Sequence, residues 1–192
     1  MNTSSPSSSA VKSQLPATIY NPLIGDEVTF LETADTTHGG YCLVKVVLAA
    51  GGGNGLHLHT DFSESFEVLT GHLGVECDRQ TIVLKPGDTA TVHPQQVHRF
   101  YNNSNKETVT FLTRITPARD FEAMLRIAYG LANDGKTNKK GMPGLLPLSV
   151  MFCKGGSYLP VIPVWVQRLV FGSIARIARW AGIERKLKQY YQ

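Results

Sequence analysis

The stretch that decides the fold is GGGNGLHLHTDFSESFEVLTG, residues 51–71. A glycine-rich turn precedes His57 and His59, which are two residues apart. On a strand, side chains two apart point to the same face, so both imidazoles can face the inside of a sheet while Leu58 faces away. Glu64 opens the next apolar run and can return a carboxylate to the same place.

A second stretch, GDTATVHPQQVHRFYN (residues 87–102), offers a third imidazole, His98. Three neutral imidazoles and one carboxylate suit Fe(II), Mn(II), Ni(II), Co(II) or Zn(II), whereas softer ions want sulfur and Mg(II) or Ca(II) want more oxygen. Four protein ligands around a six-coordinate metal leave two adjacent positions open. Those positions can take O2 and a chelating substrate together.

Short β-branched and aromatic runs, separated by turn residues, extend from about residue 19 to residue 117. Many short strands at close spacing predict a sandwich or a small barrel. The predicted strands are Val28–Leu31, Tyr41–Leu48, Gly55–His59, Glu64–Leu69, Gly74–Asp78, Thr81–Leu84, Thr89–His93, His98–Tyr101 and Thr108–Ile115.

After Pro117 the short β-branched and aromatic runs end, and apolar residues recur at the spacing of a helix. We expect helices over Arg119–Leu131, Leu145–Cys153 and Trp165–Tyr190, with a polar loop over Asn133–Gly144. The last helix has an apolar side that carries Val166, Leu169, Val170, Ile174, Ile177, Trp180 and Leu187.

The length of 192 residues fits one domain of ordinary size with an appendage. Hydrophobic residues make up 42% and charged residues 18%, which excludes wholesale disorder and fibrous repeats. We expect three parts: a disordered Ser-rich tail over residues 1–18, a β-barrel over residues 19–117 and a helical C-terminal extension over residues 118–192.

Nothing in the sequence predicts secretion or a membrane span. The first residues, MNTSSPSSSA, have neither a basic segment nor an apolar one, and apolar runs end well before the ~18 residues that a spanning helix needs. Cys42, Cys77 and Cys153 form no C-x-x-C pair, so we expect free, buried thiols and a cytoplasmic protein.

The first of the two stretches resembles the first signature motif of the cupin superfamily, G-x5-H-x-H-x3or4-E-x6-G. Gly51, His57, His59, Glu64 and Gly71 match every fixed position.

The second stretch resembles the second cupin motif, G-x5-P-x-G-x2-H-x3-N, through Gly87, His98 and Asn102. Two positions depart from it: His93 stands where proline is usual, and Gln95 where glycine is usual. Both departures lie in the turn before the ligand strand, so they put the geometry of the turn in doubt and not the metal.

The resemblance implies an antiparallel jelly-roll barrel with a metal near its centre, held by His57, His59, Glu64 and His98, and often a homodimer. Cupins include dioxygenases, isomerases and proteins that bind small molecules without turnover, so the fold does not choose the function. We predict a metal-dependent enzyme of the dioxygenase or isomerase type that acts on a small oxygen-bearing substrate with Fe(II) or Mn(II). The alternative is a non-catalytic binding or sensing protein.

The alternation of side chains along a strand also predicts which way three further residues face. Phe66 and Phe100 share the parity of the ligands, so they either line a substrate pocket or belong to the barrel core. Asn102 either hydrogen-bonds a ligand imidazole or ends its strand. No catalytic base is evident from the spacing.

Charge divides the chain. Residues 1–118 hold 7 lysines and arginines against 11 aspartates and glutamates, whereas residues 119–192 hold 12 against 4. We expect the basic last helix to pack on the acidic barrel or on a partner subunit, with contact to a membrane surface as the second reading. No helix-turn-helix or aromatic-basic platform supports binding to nucleic acid.

Overall fold

Two antiparallel sheets that share one apolar core make up the first part of the chain. The computed structural model describes residues 17–192, so the tail predicted over residues 1–18 lies, except for its last two residues, outside the described residues. The strands of this part are β1 (Thr18–Asn21), β2 (Asp26–Glu32), β3 (Cys42–Leu48), β4 (Leu58–His59), β5 (Ser63–Thr70), β6 (Leu73–Cys77), β7 (Gln80–Leu84), β8 (Thr89–Val92), β9 (His98–Asn102) and β10 (Val109–Thr116).

The larger sheet has the strand order β1-β2-β3-β10-β5-β8, and the smaller has the order β7-β6-β9. Every second residue of β3 and β10 is buried, as expected for strands with one face on a core. Phe66 and Phe111 of the larger sheet contact Phe100 of the smaller one, with ring centroids 5.8 Å and 5.3 Å apart. The two sheets therefore enclose one core, which is the predicted jelly roll.

All nine predicted strands exist, with ends displaced by a few residues. The predicted strand Gly55–His59 is shorter than expected: regular pairing covers only β4, and His57 makes an isolated bridge. The short edge strand β1 was not predicted, because its four residues show no clear alternation of apolar and polar side chains.

The C-terminal extension contains α1 (Phe121–Asn133), α2 (Leu145–Gly155), the two-residue strand β11 (Ser157–Tyr158), α3 (Val164–Trp180) and α4 (Ile183–Leu187), followed by a 3-10 turn over Lys188–Tyr190. The prediction of one helix over Trp165–Tyr190 is wrong. Gly182 adopts φ +72°, a left-handed conformation that ends a helix and that glycine enters at little cost. The chain then turns, and α4 packs its buried Leu187 against the other helices.

The predicted apolar side of the last helix is also wrong in part. Leu169, Ile177 and Trp180 are exposed, whereas the residues of α3 that are buried are Gln167, Ala175 and Ala178. Small side chains let α3 approach α2 closely, and this contact buries a face that a helical wheel does not rank as the most apolar.

Apolar contacts join the extension to the barrel. Phe121 and Tyr129 of α1 are buried in the same core cluster as the barrel strands. Arg168 of α3 adds an ion pair to Asp61 at 3.6 Å. The extension therefore packs on the barrel mainly through α1, and the main contact is hydrophobic.

Two further findings concern membrane spans and the cysteines. No helix among residues 17–192 combines the length and the apolar character needed to cross a bilayer. All three thiols are free. Cys42 is buried as expected, whereas Cys77 is half-buried and Cys153, in α2, is exposed, which corrects the expectation for both.

Gln167 should contribute strongly to the stability of the extension. Its amide donates to the carbonyl oxygens of Leu159 and Ile162 at 2.8 Å and 2.7 Å, and its oxygen accepts from the Leu159 N–H at 3.0 Å. We expect Gln167→Ala to lower the free energy of unfolding by about 2–3 kcal/mol, because these buried backbone groups lose their partner. Urea unfolding followed by circular dichroism measures this change.

The exposed Gln189 provides the matched control. Gln189→Ala should change the free energy of unfolding by less than about 0.5 kcal/mol. Equal stability of the two variants would show that the buried amide does not hold the segment before α3.

Candidate metal centre

Backbone pairing brings the two motif stretches together. The N–H of His57 donates to the carbonyl of His98 at 2.9 Å, and the N–H of His98 donates back at 2.8 Å. His59 lies two residues on, in β4, and Glu64 lies in β5, between β8 and β10. Four residues from three segments of the chain thus point at one place.

The four side chains form a tight group, which we call the His/Glu cluster: His57, His59, Glu64 and His98. The Nε2 atoms of His57 and His59 are 3.1 Å apart, and Glu64 Oε2 lies 3.1 Å from His98 Nε2 and 3.5 Å from His59 Nε2. The four donor atoms lie within 4.8 Å of one another. Ligands about 2.1 Å from one ion are at most about 4.2 Å apart, so a small inward movement would complete a coordination sphere.

The opposite nitrogen of each imidazole is engaged elsewhere. His57 Nδ1 lies 2.8 Å from the carbonyl oxygen of Gly55, and His98 Nδ1 lies 3.0 Å from that of Gln96. A carbonyl only accepts, so both Nδ1 atoms carry hydrogen and both Nε2 atoms can present a lone pair to a metal.

Ser157 supports the third imidazole, and sequence reasoning missed it. Its hydroxyl lies 3.2 Å from His59 Nδ1, because β11 pairs with β4 and places Ser157 opposite His59. The two residues are almost a hundred positions apart in the chain, and no sequence pattern near Ser157 predicts that it pairs with His59. The extension thus contributes to the site itself.

Burial and mutual contacts set the protonation of the cluster. Burial, together with the charges of His59 and His98, lowers the pKa of His57 to about 4. Burial by itself would raise the pKa of Glu64, but the hydrogen bonds and charges of the two histidines outweigh it and hold that pKa well below its usual range. At neutral pH His57 is therefore uncharged and Glu64 is ionised, which are the forms that bind a metal.

Burial also acts on His98, where it would lower the pKa. The hydrogen bond to Glu64 and the charge of that carboxylate outweigh burial, so the pKa of His98 is raised. A bound cation would take the place of a proton at this nitrogen.

The donor set therefore fits a divalent transition metal. Nitrogen dominates, one anionic oxygen is present, and the four donor atoms converge on one place. The other three imidazoles of the chain are exposed and lie outside the cluster: His38, His72 and His93.

The turn before β9 tolerates both departures from the second motif. Gln95 adopts φ +73°, the left-handed conformation that favours glycine, and its N–H donates to the carbonyl of His59 at 2.6 Å. The N–H of His93 donates to the Gln96 side chain at 2.8 Å. A residue other than glycine costs about 1 kcal/mol in this conformation, yet the turn still places His98 in the cluster.

A cavity of about 460 Å³ opens beside the cluster. His57, His59 and Glu64 form part of its wall, and His98 is buried behind them. Barrel strands and α1 supply the apolar part of the lining, and the glycine-rich turn contributes residues 53–55.

The three residues predicted to share the face of the metal ligands lie in different parts of the domain. Phe100 lines the cavity. Phe66 packs in the core between Phe100 and Phe111, and Asn102 also lies outside the lining. The Asn102 amide donates to three backbone carbonyls, those of Leu48, Ala49 and Glu107.

Comparison with known families identifies the fold. Residues 44–114 match the family model described as a cupin domain, and this span holds all four residues of the cluster. Residues 44–114 are a cupin domain. The cupin domain is followed by the helical extension, which the family model does not cover.

Among curated proteins, an oxidoreductase from Arthrobotrys oligospora is 32% identical over 124 residues. The match covers 60% of this chain and 48% of the relative, so the chain spans about half the length of the curated relative that it matches.

Among solved structures, a predicted oxalate decarboxylase from Thermotoga maritima is 22% identical, with a TM-score of 0.47, over 54% of this chain and 92% of that one. An RmlC-like cupin from Shewanella frigidimarina is 23% identical, with a TM-score of 0.45, over 53% of this chain and 84% of that one. Each similarity covers about half of this chain.

We expect Asn102 to stabilise the cupin domain without holding the metal. Asn102→Ala leaves three carbonyl groups without their donor and should lower the free energy of unfolding by about 2 kcal/mol or more, while metal content stays unchanged. Thermal unfolding and elemental analysis of one preparation measure both quantities.

Asn103→Ala, at the exposed neighbour, should leave both quantities unchanged. Loss of metal in a folded Asn102→Ala protein would instead place Asn102 in the metal site.

Proposed function

We propose that the cupin domain binds Fe(II) or Mn(II) through His57, His59, Glu64 and His98, and that the protein is a metal-dependent oxidoreductase of the dioxygenase type. Its substrate is a small oxygen-bearing molecule that enters the cavity. The observation that carries this proposal is the convergence of three Nε2 atoms and one carboxylate oxygen on the wall of that cavity.

When bound, such an ion supplies a Lewis acid and a place where O2 and a chelating substrate meet. Glu64 supplies the negative charge that a cation needs in a buried site. The contacts of His57 and His98 with backbone carbonyls, and of His59 with Ser157, hold the rings in the orientation that faces the ion.

The apolar lining has a separate task. Val44, Val46 and Phe100 from the barrel, with Leu125 and Ala128 from α1, exclude water from the space next to the cluster. A substrate with an apolar body is held there with its oxygen function toward Glu64 and the imidazoles, and a dry site favours reaction over side reactions with water.

The relative from Arthrobotrys oligospora supports redox chemistry over isomerisation, since it carries the name oxidoreductase. The apolar cavity also suits a second function, which is binding or sensing of a small molecule without turnover. Assembly into a homodimer and a cytoplasmic location stay predictions.

The metal content of purified protein is the first test. Untagged protein prepared without oxygen should contain about one iron or manganese ion per chain, and the His57→Ala/His59→Ala variant should contain none, because half of the donor set is removed. His72→Ala/His93→Ala, which removes two exposed imidazoles, is the matched control and should keep the metal.

The metal-loaded protein is then screened for oxygen consumption over small molecules that chelate through oxygen. Oxygen uptake that His59→Ala abolishes supports the oxidoreductase. Conversion without oxygen uptake points to an isomerase, and tight binding without conversion to a binding protein. No stoichiometric metal, even after reconstitution with Fe(II), Mn(II), Zn(II), Ni(II) and Co(II) in turn, overturns the proposal.

A further inference from the structure

Two residues that line the cavity each carry a buried side-chain oxygen without a hydrogen-bond partner: Oδ1 of Asp26 and Oγ1 of Thr113. The two residues are 5% and 2% exposed, so bulk water does not reach these atoms. Within residues 17–192, these are the two buried side-chain oxygen or nitrogen atoms that have no hydrogen-bond partner. Such atoms weaken a fold unless something binds them, so their place in a cavity wall indicates a ligand group.

The Asp26 carboxyl group is held by the extension. The hydroxyl of Tyr129, in α1, donates to Asp26 Oδ2, and both residues line the cavity. One oxygen is therefore engaged and orients the group, and the other stays available to accept. Burial raises the pKa of this carboxyl, while the hydrogen bond from Tyr129 acts in the opposite direction.

The order and register of the strands show where these two residues lie relative to the His/Glu cluster. Glu64 lies on β5, Thr113 on the adjacent β10, and Asp26 on β2, beyond β3. Thr113 pairs with Phe66, two residues from Glu64, so it lies near the cluster. Asp26 pairs with Leu48, six residues along β3 from Cys42, which is level with Glu64, so Asp26 lies toward the other end of the strands. The side chains between them are apolar: Val28, Val44 and Val46.

We propose that Asp26 forms a subsite, which we call the donor subsite, that binds a hydroxyl or amino group of the ligand. The ligand is then a small molecule with an apolar body, an oxygen function at the cluster and a hydrogen-bond donor at the opposite end. The cluster end of this description rests on the proposed function, whereas the donor subsite is tested separately. The cavity volume suits such a molecule, since small-molecule sites span about 300–1,000 Å³.

Three probes with one chain length test the subsite: decanoate, ω-hydroxydecanoate and ω-aminodecanoate. Each has a carboxylate for the cluster, and the last two add a donor. Calorimetry on the Mn(II)-loaded protein should show that a probe with a donor binds about tenfold more tightly than decanoate, the effect of one buried hydrogen bond. The better of the two identifies the donor as hydroxyl or amine.

Asp26→Asn should abolish this preference, because the amide nitrogen replaces the free acceptor while its oxygen can still accept from Tyr129. Glu27→Gln, the same change at the exposed neighbour, should keep it. Equal affinity for all three probes in the native protein, or an unchanged preference in Asp26→Asn, overturns the subsite.

The His57→Ala/His59→Ala variant separates the two proposals. If the cluster binds metal, this variant binds all probes more weakly but keeps the ratio between them. If the metal proposal fails, affinities stay at the native level, and the ratio still reports on Asp26.

Thr113→Val tests whether the hydroxyl is without a partner in the absence of ligand. The variant should unfold about 2–4 °C higher, since an unsatisfied buried hydroxyl becomes a methyl group of the same shape. A lower unfolding temperature would show that an ordered water fills such a place, and would overturn the argument that an unpartnered oxygen in this wall marks a ligand group.

An independent observation concerns α3. Trp165 and Trp180 are 71% and 90% exposed, and Leu169 is exposed on the same side of the helix. Nothing in residues 17–192 covers this side, which we call the outer face of α3. Arg176 lies between the two tryptophans on that face.

The positive charge around the outer face of α3 favours an anionic partner. α3 carries Arg168, Arg176 and Arg179 and no acidic residue. Arg168 and Arg179 pair with Asp61 and Glu184, but the region from residue 119 to the end still has 12 basic side chains against 4 acidic ones. Tryptophan rings favour the headgroup level of a bilayer, and arginines bind anionic lipids. We infer that the outer face of α3 lies on an anionic membrane surface.

Vesicle sedimentation tests this inference. The full chain should sediment with vesicles that contain phosphatidylserine, but not with phosphatidylcholine alone, and high salt should release it. Trp165→Ala/Trp180→Ala should lose at least about ten times in affinity, because two indole rings leave the interface. Ile82→Ala/Val83→Ala, at exposed apolar residues of β7, is the control and should bind normally.

No sedimentation with either vesicle overturns the membrane surface. A native protein that is dimeric by analytical ultracentrifugation, and monomeric as Trp165→Ala/Trp180→Ala, assigns the face to a second copy of the chain instead.

Discussion

The exchange of two backbone hydrogen bonds between His57 and His98 is the contact on which the site depends. The bonds, of 2.9 Å and 2.8 Å, join the segment before β4 to the start of β9 and leave both imidazoles on the same side. His59 follows two residues later and faces the same way because side chains alternate along a strand. Glu64 arrives from the other sheet. The cluster is therefore a product of backbone pairing, and its side chains need little adjustment of their own to converge.

The C-terminal extension completes the site that the barrel begins. Its strand β11 sets Ser157 against His59, and α1 covers the cavity with apolar side chains and places Tyr129 on Asp26. Without α1, the valines and Phe100 of the barrel wall would face water, at a cost that grows with the exposed apolar area. The cavity thus belongs to the barrel and the extension together, although the cupin family model ends at residue 114.

Polar groups divide the cavity into two ends with different chemistry. The cluster end offers lone pairs and one negative charge, which suit a cation, whereas the Asp26 end offers acceptors without donors. An apolar middle separates them, so a ligand is oriented by its two ends and held by its body. The exposed apolar side chains of α3 lie on a different element and have no part in this arrangement.

Local spacing was enough to predict the strands and a sandwich or small barrel, because period-two alternation is a property of a single strand. The jelly roll and the set of four metal ligands followed from the resemblance to the two cupin motifs. The same reasoning could not decide where distant segments meet. It left alternatives open for Phe66 and Asn102, and in the structure the first packs in the core and the second binds backbone carbonyls. It could not identify Ser157, Asp26 or Thr113 as residues of the site. The partner of Ser157 lies on another strand, and one oxygen each of Asp26 and Thr113 has no partner.

A helical wheel ranked the sides of the last helix by hydropathy, whereas α3 buries small residues because close approach to α2 requires them. Sequence thus determined which residues could act, and long-range packing determined which of them share a cavity, since contacts between distant segments leave no periodic trace in the chain.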